Sequence, residues 1–340
     1  MNSDKPIQFG LIGAGAIAQS YLQAFKTMTE GKLAGVVDIR PGAAQAMAEE
    51  AGCESYTSYQ GLIEKCRCDA VIVCTPPSTH PEIVNYLTSK GIHVLCEKPL
   101  ALDSKSAKEM LAAAERKDVL LSMATKFRYV NDVIRAKSIV ESGILGEIVL
   151  FENAFTSRVD MSNRWNSDPK ISGGGVLIDN GTHSVDLIRY FLGPIAEVQA
   201  VEGKRTQSLA VEDTVRIFVR TEKDVMGSID LSWSLNKELD SYIDIYGSQG
   251  TIRVGWRESK YRQSSSQDWV VFGTGYNKVQ AFTSQIENFC RAIHKREPLL
   301  TGAESAIASV EVIEMAYQSM KHNDWMPVKP SAAVMGIKQA

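Results

Sequence analysis

The stretch PIQFGLIGAGAIA, residues 6 to 18, decides the fold. Pro6 to Ile12 reads as a short apolar strand. Gly13-Ala14-Gly15-Ala16-Ile17-Ala18 then has the spacing G-x-G-x-x-A and opens a helical pattern running from about Ala16 to Met28. In such a turn the first glycine permits a tight bend, the second lets a pyrophosphate approach the backbone, and a small third residue lets helix and strand pack closely. The helix N-terminus adds N–H donors and a dipole that favours phosphate. A glycine turn with no ligand is the bland alternative, but its place between strand and helix points to dinucleotide binding, with Gly13, Gly15, Ala16 and Ile17 at the phosphates.

The same alternation continues outward from this turn. Apolar runs at 33–37, 70–74, 92–95 and 119–123 alternate with helical patterns at 42–51, after Pro81, and at 103–117. Continuous apolar strands separated by helices predict a doubly wound parallel sheet of Rossmann type covered on both faces, occupying residues 1–125. After residue 125 the pattern changes. A helix near 130–142 is followed by alternating runs at 147–156, 196–205, 213–221, 225–234, 241–247 and 250–254, then helices near 276–295 and 303–321. This predicts an α+β domain over 126–330, built on a large mixed or antiparallel sheet, and a loosely ordered tail after Pro327, the last ten residues, 331–340, being tail alone.

Composition sets the outer limits. A chain of 340 residues with 44% hydrophobic and 23% charged residues is an ordinary globular protein of about two domains. A net charge of -3 gives no electrostatic reason to expect nucleic acid or an anionic membrane as partner. No apolar run approaches the roughly 18 residues needed to span a bilayer, and the first 22 residues lack a basic leader and a cleavage site. Cys66 and Cys68 form C-x-C without a second pair at zinc-site spacing, so no metal is expected. The six cysteines read as reduced thiols of a cytoplasmic protein.

The further cofactor candidates lie at strand ends. Asp38 closes the second strand, where a carboxylate accepts hydrogen bonds from ribose hydroxyls and repels a 2′-phosphate; this favours NAD, with NADP the alternative because Arg40 stands two residues on. Thr75-Pro76-Pro77-Ser78-Thr79-His80 leaves the third strand at the ligand-bearing edge, a stiff wall suited to a cofactor; a plain rigid loop with Thr79 capping the next helix, and a structural His80, is the competing account. Glu97-Lys98-Pro99 follows the fourth strand at the same edge, and a surface lysine paired with Glu97 is its bland version.

Further on, DNGTHSVDLIRYFLG, residues 179 to 193, follows Ser172-Gly-Gly-Gly175. Asp179 and His183 stand at i and i+4 and share a helix face, while Val185, Leu187, Ile188, Tyr190, Phe191 and Leu192 make an apolar body that anchors them. Gly173 to Gly175 would leave room for substrate or nicotinamide beside the backbone. Alternatively Asp179 is an N-cap and His183 a core histidine.

Together GAGAIA, VVDIR, TPPSTH, CEKPLA, GGGVLIDNGTHSVDLIRYFLG and PLLTGAESA resemble the glucose–fructose oxidoreductase / inositol dehydrogenase (Gfo/Idh/MocA) family over nearly the whole chain. The resemblance implies a two-domain NAD(P)-dependent enzyme in which Lys98, Asp179 and His183 line the site between domains. Members often carry Arg-Phe at this point, and the chain departs from them with Lys126-Phe127 followed by Arg128; Lys126 is the candidate substrate contact of this segment. Arg164, Trp165 and Asn166 are further candidates, an aromatic face for C–H groups beside polar donors for hydroxyls.

These residues suit oxidation of a secondary hydroxyl of a sugar or cyclitol. Redox-neutral hydrolysis or epimerisation with recycled NAD shares the same first step, and a non-catalytic dinucleotide-binding sensor is the remaining alternative. In the second domain Val215, Ile217 and Val219 alternate with Arg216, Phe218 and Arg220. A sheet face of the latter kind suits pairing across a two-fold axis, so a homo-oligomer, at least a dimer, is expected. The family resemblance points the same way, to a homodimer or homotetramer built through this sheet. A charge at Phe218 or Trp233 is expected to dissociate it if those side chains lie on the paired face.

Overall fold

The computed structural model describes residues 5–328. It divides into two units. The first joins the chain up to Tyr129 with residues 278–307; the second joins Val130–Asn277 with the chain from Ala308 onward. A linear boundary after residue 125 misses this return: residues 278–307, placed by sequence in the second domain, belong with the first.

The first unit holds β1 (Ile7–Ile12), β2 (Gly31–Val37), β3 (Glu54–Tyr56), β4 (Ala70–Val73), β5 (His93–Glu97) and β6 (Leu121–Ala124), with α1 (Ala16–Phe25), α2 (Pro41–Ala51), α3 (Tyr59–Lys65), α4 (His80–Ser89) and α5 (Ser104–Glu115) between them. All strand pairs are parallel, in the order β3-β2-β1-β4-β5-β6. The order reverses between β1 and β4, which makes the carboxyl ends of these strands the ligand-bearing crevice. The central strand β1 sets Leu11 between Val36 and Ile72, all three fully buried. Phe282, Ile286, Phe289 and Cys290 of the returning helix Lys278–Ile293 join Phe9 and Leu11 in one core, and Tyr21 of α1 meets Phe282 edge-on at 4.7 Å. Each aromatic buries a large area there, which fixes the returning helix to the sheet.

The second unit holds α6 (Asn131–Glu141), β7 (Ile148–Thr156), α7 (Pro169–Ser172), α8 (Val176–Leu192), β8 (Ile195–Glu202), β9 (Thr214–Thr221), β10 (Met226–Ser232), β11 (Ser241–Gly247), β12 (Gly250–Gly255), β13 (Ser259–Gln263) and β14 (Val270–Gly273). After Lys278–Ile293, which is α9, come α10 (Ala303–His322) and β15 (Met326–Pro327). The sheet has nine strands in the order β14-β13-β12-β11-β7-β10-β9-β8-β15, and it is mixed because β7 and β10 run parallel.

Strand alternation assigns its faces. Val215, Ile217 and Val219 of β9 and Ile229 and Leu231 of β10 are buried beneath α8. Small residues admit the close approach: a Cβ on Gly227 of β10 would lie 3.2 Å from Ile188 of α8. On the opposite face Arg216 and Lys237 both pair with Asp230 at 2.6 Å, and Arg220 pairs with Glu197 at 3.0 Å. Phe218 lies among them, 37% exposed. Trp233 corrects the expectation: it is only 3% exposed and does not belong to the open face. At the end of the described chain, Val328 is buried and its N–H donates to the Ala196 carbonyl at 2.8 Å, so order continues past Pro327. The tail expected over 331–340 lies outside the described residues.

Candidate active site

The β1–α1 turn fits a dinucleotide. Gly13 adopts φ +96°, a left-handed conformation open to glycine, and a Cβ on it would lie 2.8 Å from the Cys74 carbonyl oxygen. Gly15 faces open space: a Cβ there would meet nothing within 4 Å. Gly15 is also the N-cap of α1, and no side chain caps the helix, so the first-turn N–H groups of Ala16 and Ile17 border that space. This is an anion cradle of the kind a pyrophosphate occupies.

Asp38 stands beside the cradle. Its Oδ2 accepts from the Ala14 amide at 2.8 Å, and its Oδ1 accepts from the Arg40 amide and the Arg40 Nε, both at 2.9 Å. Partial burial pushes this carboxyl's pKa up, but the hydrogen bonds from Arg40 and Ala14 outweigh burial and hold it below the usual value.

His80 was a candidate cofactor contact, and the structure gives it another task. It is fully buried, with Nε2 2.8 Å from the Thr75 carbonyl oxygen and Nδ1 3.0 Å from that of Pro99. It therefore ties the loop leaving β4 to the loop leaving β5, beyond reach of a ligand. Burial pushes its pKa down, against the opposing pull of those carbonyls. Pro77 is buried as well, while Thr75, Pro76 and Thr79 are half-buried and Ser78 is exposed. Thr79 does not cap α4 through its side chain; its hydroxyl donates to Thr75 Oγ1 at 2.7 Å and to the Pro76 carbonyl at 2.8 Å.

Glu97 is buried too, so it cannot be half of a surface ion pair. Its Oε1 accepts from the Tyr21 hydroxyl at 2.8 Å and its Oε2 from the Lys98 amide at 3.2 Å. Burial pushes its pKa up; the Tyr21 hydrogen bond and the charges of Lys98 and Lys126 partly offset this. The two half-buried lysines are thus brought to one carboxylate. Lys98 precedes Pro99 through a cis peptide bond. Lys126 Nζ lies 5.2 Å from the Phe127 ring and 5.7 Å from the Phe282 ring. Arg128 is buried, donating to Ser305 Oγ at 2.8 Å and to the Leu300 carbonyl at 3.3 Å, which makes Lys126 the more accessible of the two cations.

In the second unit α8 begins at Val176, three residues earlier than the sequence suggested, because its cap comes from elsewhere in the chain. Glu212 Oε1 accepts from the Gly175 amide at 2.9 Å, the Leu177 amide at 3.1 Å and the Tyr317 hydroxyl at 2.8 Å. Burial pushes the Glu212 pKa up, and these donors oppose it. Asp179 is consequently a first-turn residue and not the N-cap. Asp179 is half-buried and His183, one turn on, is 7% exposed, its ring edge-on to Phe155 at 6.4 Å between centroids.

The glycines before α8 are a second correction. A Cβ on Gly174 would overlap the Tyr317 hydroxyl, and one on Gly175 would overlap the Glu212 carbonyl oxygen. Their space is filled by this chain and not by a ligand. Arg164, Trp165 and Asn166 lie at the short 3₁₀ turn Trp165–Ser167; Arg164 is exposed, Trp165 is 43% exposed and Asn166 is half-buried. Glu212, Tyr317 and Phe155 were not singled out from sequence. The acidic pair Glu212-Asp213 ahead of an apolar strand was the one available signal.

Residues 7–125 match the model of an oxidoreductase family with an NAD-binding Rossmann fold, and residues 133–253 match the GFO/IDH/MocA C-terminal domain. The chain belongs to the GFO/IDH/MocA family. Among relatives, it is 24% identical to an inositol 2-dehydrogenase of Rhizobium meliloti over 92% of this chain and 97% of that one. It is 30% identical to a D-glucoside 3-dehydrogenase of Escherichia coli over 64% of this chain and 62% of the other. A levoglucosan dehydrogenase solved with NADH and levoglucosan shares the fold at TM-score 0.88 and 22% identity, covering 95% of this chain and 99% of the other. The GFO/IDH/MocA Rossmann domain is NAD-binding, which agrees with the cradle at Gly13 and Gly15. No described helix is long and apolar enough to cross a membrane.

Proposed function

We propose that this chain is an NAD(P)-dependent dehydrogenase that oxidises a secondary hydroxyl of a sugar or cyclitol, with NAD preferred. The observation that carries this reading is the pairing of Asp179 and His183 one turn apart on α8 within a family of NAD-binding oxidoreductases. Relatives named as inositol and glucoside dehydrogenases support the substrate class. NAD, when bound, supplies the hydride acceptor. His183 takes the hydroxyl proton as general base, a task an imidazole suits near neutral pH. Lys98 hydrogen-bonds the reacting oxygen and stabilises the alkoxide-like charge that develops on it. Asp179 orients the histidine or binds a neighbouring hydroxyl. Lys126, Arg164, Trp165 and Asn166 are proposed contacts to the remaining hydroxyls and C–H faces. Preference for NAD follows from the ionised Asp38 beside the Ala14 amide: ribose hydroxyls can donate to it, whereas a 2′-phosphate is repelled and must first draw Arg40 away.

A homo-oligomer, at least a dimer, is part of the same proposal. The open face of the second unit's sheet carries Phe218, Val201 and Met226 exposed among its ion pairs, and pairing two such faces covers them. Light scattering at micromolar concentration that returned the mass of one 37.4 kDa chain would refute it.

The catalytic reading is tested by following NADH absorbance across a panel of inositols, free sugars, sugar phosphates and glycosides. Turnover on one of them, with NAD favoured over NADP, is expected. Conversion of substrate without net NADH formation, by protein that carries NAD, would replace it with the redox-neutral reading.

A further inference from the structure

Glu212 stands 37 residues beyond Gly175 in sequence, yet it closes the start of α8. A helix leaves its first N–H groups without intrahelical partners, and a serine, threonine, aspartate or asparagine at the cap usually supplies one acceptor. The cap position here is Gly175, which has no side chain to offer. Glu212 Oε1 takes its place and receives three donors: the amides of Gly175 and Leu177 and the hydroxyl of Tyr317. A carboxylate at this end of a helix also opposes the helix dipole favourably.

The clamp is held from behind and fitted from the front. Asp213, the next residue, accepts at Oδ2 from the Thr206 and Gln207 amides at 2.9 Å and from the Ser234 hydroxyl at 2.8 Å, which fixes the backbone that carries Glu212. The Val176 amide donates to the Glu212 carbonyl at 2.9 Å, adding a backbone contact to the side-chain ones. Gly174 and Gly175 have no Cβ where Tyr317 and the Glu212 backbone come closest. Four successive positions, Gly174 to Leu177, are therefore set against two residues from distant parts of the chain.

We infer that Glu212 and Tyr317 form a clamp that fixes the position and rotation of α8, making Glu212 a positioning residue for Asp179 and His183. The inference rests on the catalytic roles proposed above for those two side chains. Each residue of an α-helix advances about 1.5 Å and turns about 100°, so a slip at the clamp moves both side chains together. Misplacement of a reacting group by roughly 1 Å can cost about a hundredfold in rate.

Three variants test this: Glu212→Leu, which removes the acceptor at similar volume; Glu212→Gln, which keeps an Oε1 acceptor; and Tyr317→Phe, which removes one donor. The measurements are kcat per folded molecule, KM, NAD affinity, and amide exchange at Gly175 and Leu177. Glu212→Leu should speed exchange at both amides and lower kcat between about tenfold and a hundredfold, with NAD affinity unchanged. Glu212→Gln should restore slow exchange and most of the turnover. Wild-type kcat per folded Glu212→Leu molecule, with only thermal stability lost, would mean plain structural support and overturn the inference; so would Glu212→Gln failing as badly as Glu212→Leu. Should Glu212→Leu not fold, Tyr317→Phe carries the test, with a smaller fall in kcat expected and unchanged kcat and exchange overturning it. If His183→Ala keeps its turnover, the catalytic reading fails and the positioning role falls with it. If exchange at Gly175 and Leu177 ignores Glu212→Leu, the clamp fails while that reading stands.

Discussion

Two glycine-rich approaches to a helix, Gly13 to Gly15 before α1 and Gly173 to Gly175 before α8, look alike in sequence and use their glycines in opposite ways. At Gly15 the missing side chain leaves open space beside uncapped amides. At Gly174 and Gly175 the missing side chains are replaced by Tyr317 and the Glu212 backbone. One approach admits a ligand's phosphates; the other admits the protein itself and supplies the cap as a carboxylate. A glycine run before a helix therefore signals that something approaches the backbone closely, and only the packing says what.

The sharpest way to break this comparison is an alanine at each end of it. Gly175→Ala drives a methyl group into the Glu212 backbone, which has no flexible side chain to give way. A loss of about 3 kcal/mol of stability or more is expected, read as a large drop in melting temperature with turnover lost alongside. Gly15→Ala should behave oppositely. Its Cβ meets nothing within 4 Å, so the ligand-free stability should hold within about 1 kcal/mol, while NAD affinity falls about tenfold as the methyl group enters the phosphate space. A Gly15→Ala protein that unfolds early yet binds NAD normally when folded would invert the assignment.

A gentler probe is Asp38→Ala. It removes the acceptor facing Ala14 and releases Arg40 from its ion pair. NAD affinity should weaken by about tenfold and the relative use of NADP should rise, as cofactor titrations would report. Equal use of both cofactors by the unmodified enzyme would contradict the role given to Asp38.

The smallest effect concerns Glu97. Burial raises its pKa in the fold, so its ionised form is penalised there relative to the unfolded chain. The stability it contributes is complete below the unfolded value and is lost as pH rises through the raised one. Glu97→Gln should therefore match the parent in stability below pH 4.5, the ordinary glutamate value, and exceed it as pH rises above that, as melting curves across pH would show. A variant less stable than the parent at neutral pH would mean that Lys98, Lys126 and Tyr21 more than offset the burial.

Much of the fold was legible because its signals are local. The G-x-G-x-x-A turn needs glycine at φ +96° at Gly13, and the alternation of Val215, Ile217 and Val219 with Arg216, Phe218 and Arg220 gives the two faces of β9 directly. Where the sequence failed, the cause lay at a distance. β3 and α3 are three and seven residues long, too short for a period to stand out. An amphipathic helix such as Lys278–Ile293 does not say which sheet it covers, so its return to the first unit was hidden. The start of α8 was misplaced because its cap comes from Glu212 and not from its own neighbours. His80 sits beside two prolines at a ligand-bearing edge, and nothing local reveals that both its ring nitrogens meet backbone carbonyls.

The account stands on one division of labour, NAD held by the first unit and the proton taken on α8 of the second. The most direct test is His183→Ala assayed with the best substrate of the polyol panel, alongside NAD titration of the same protein. NAD affinity and melting temperature near those of the parent are expected, with turnover lower by about a hundredfold or more. Near-normal turnover in a folded, NAD-binding His183→Ala protein would contradict the account.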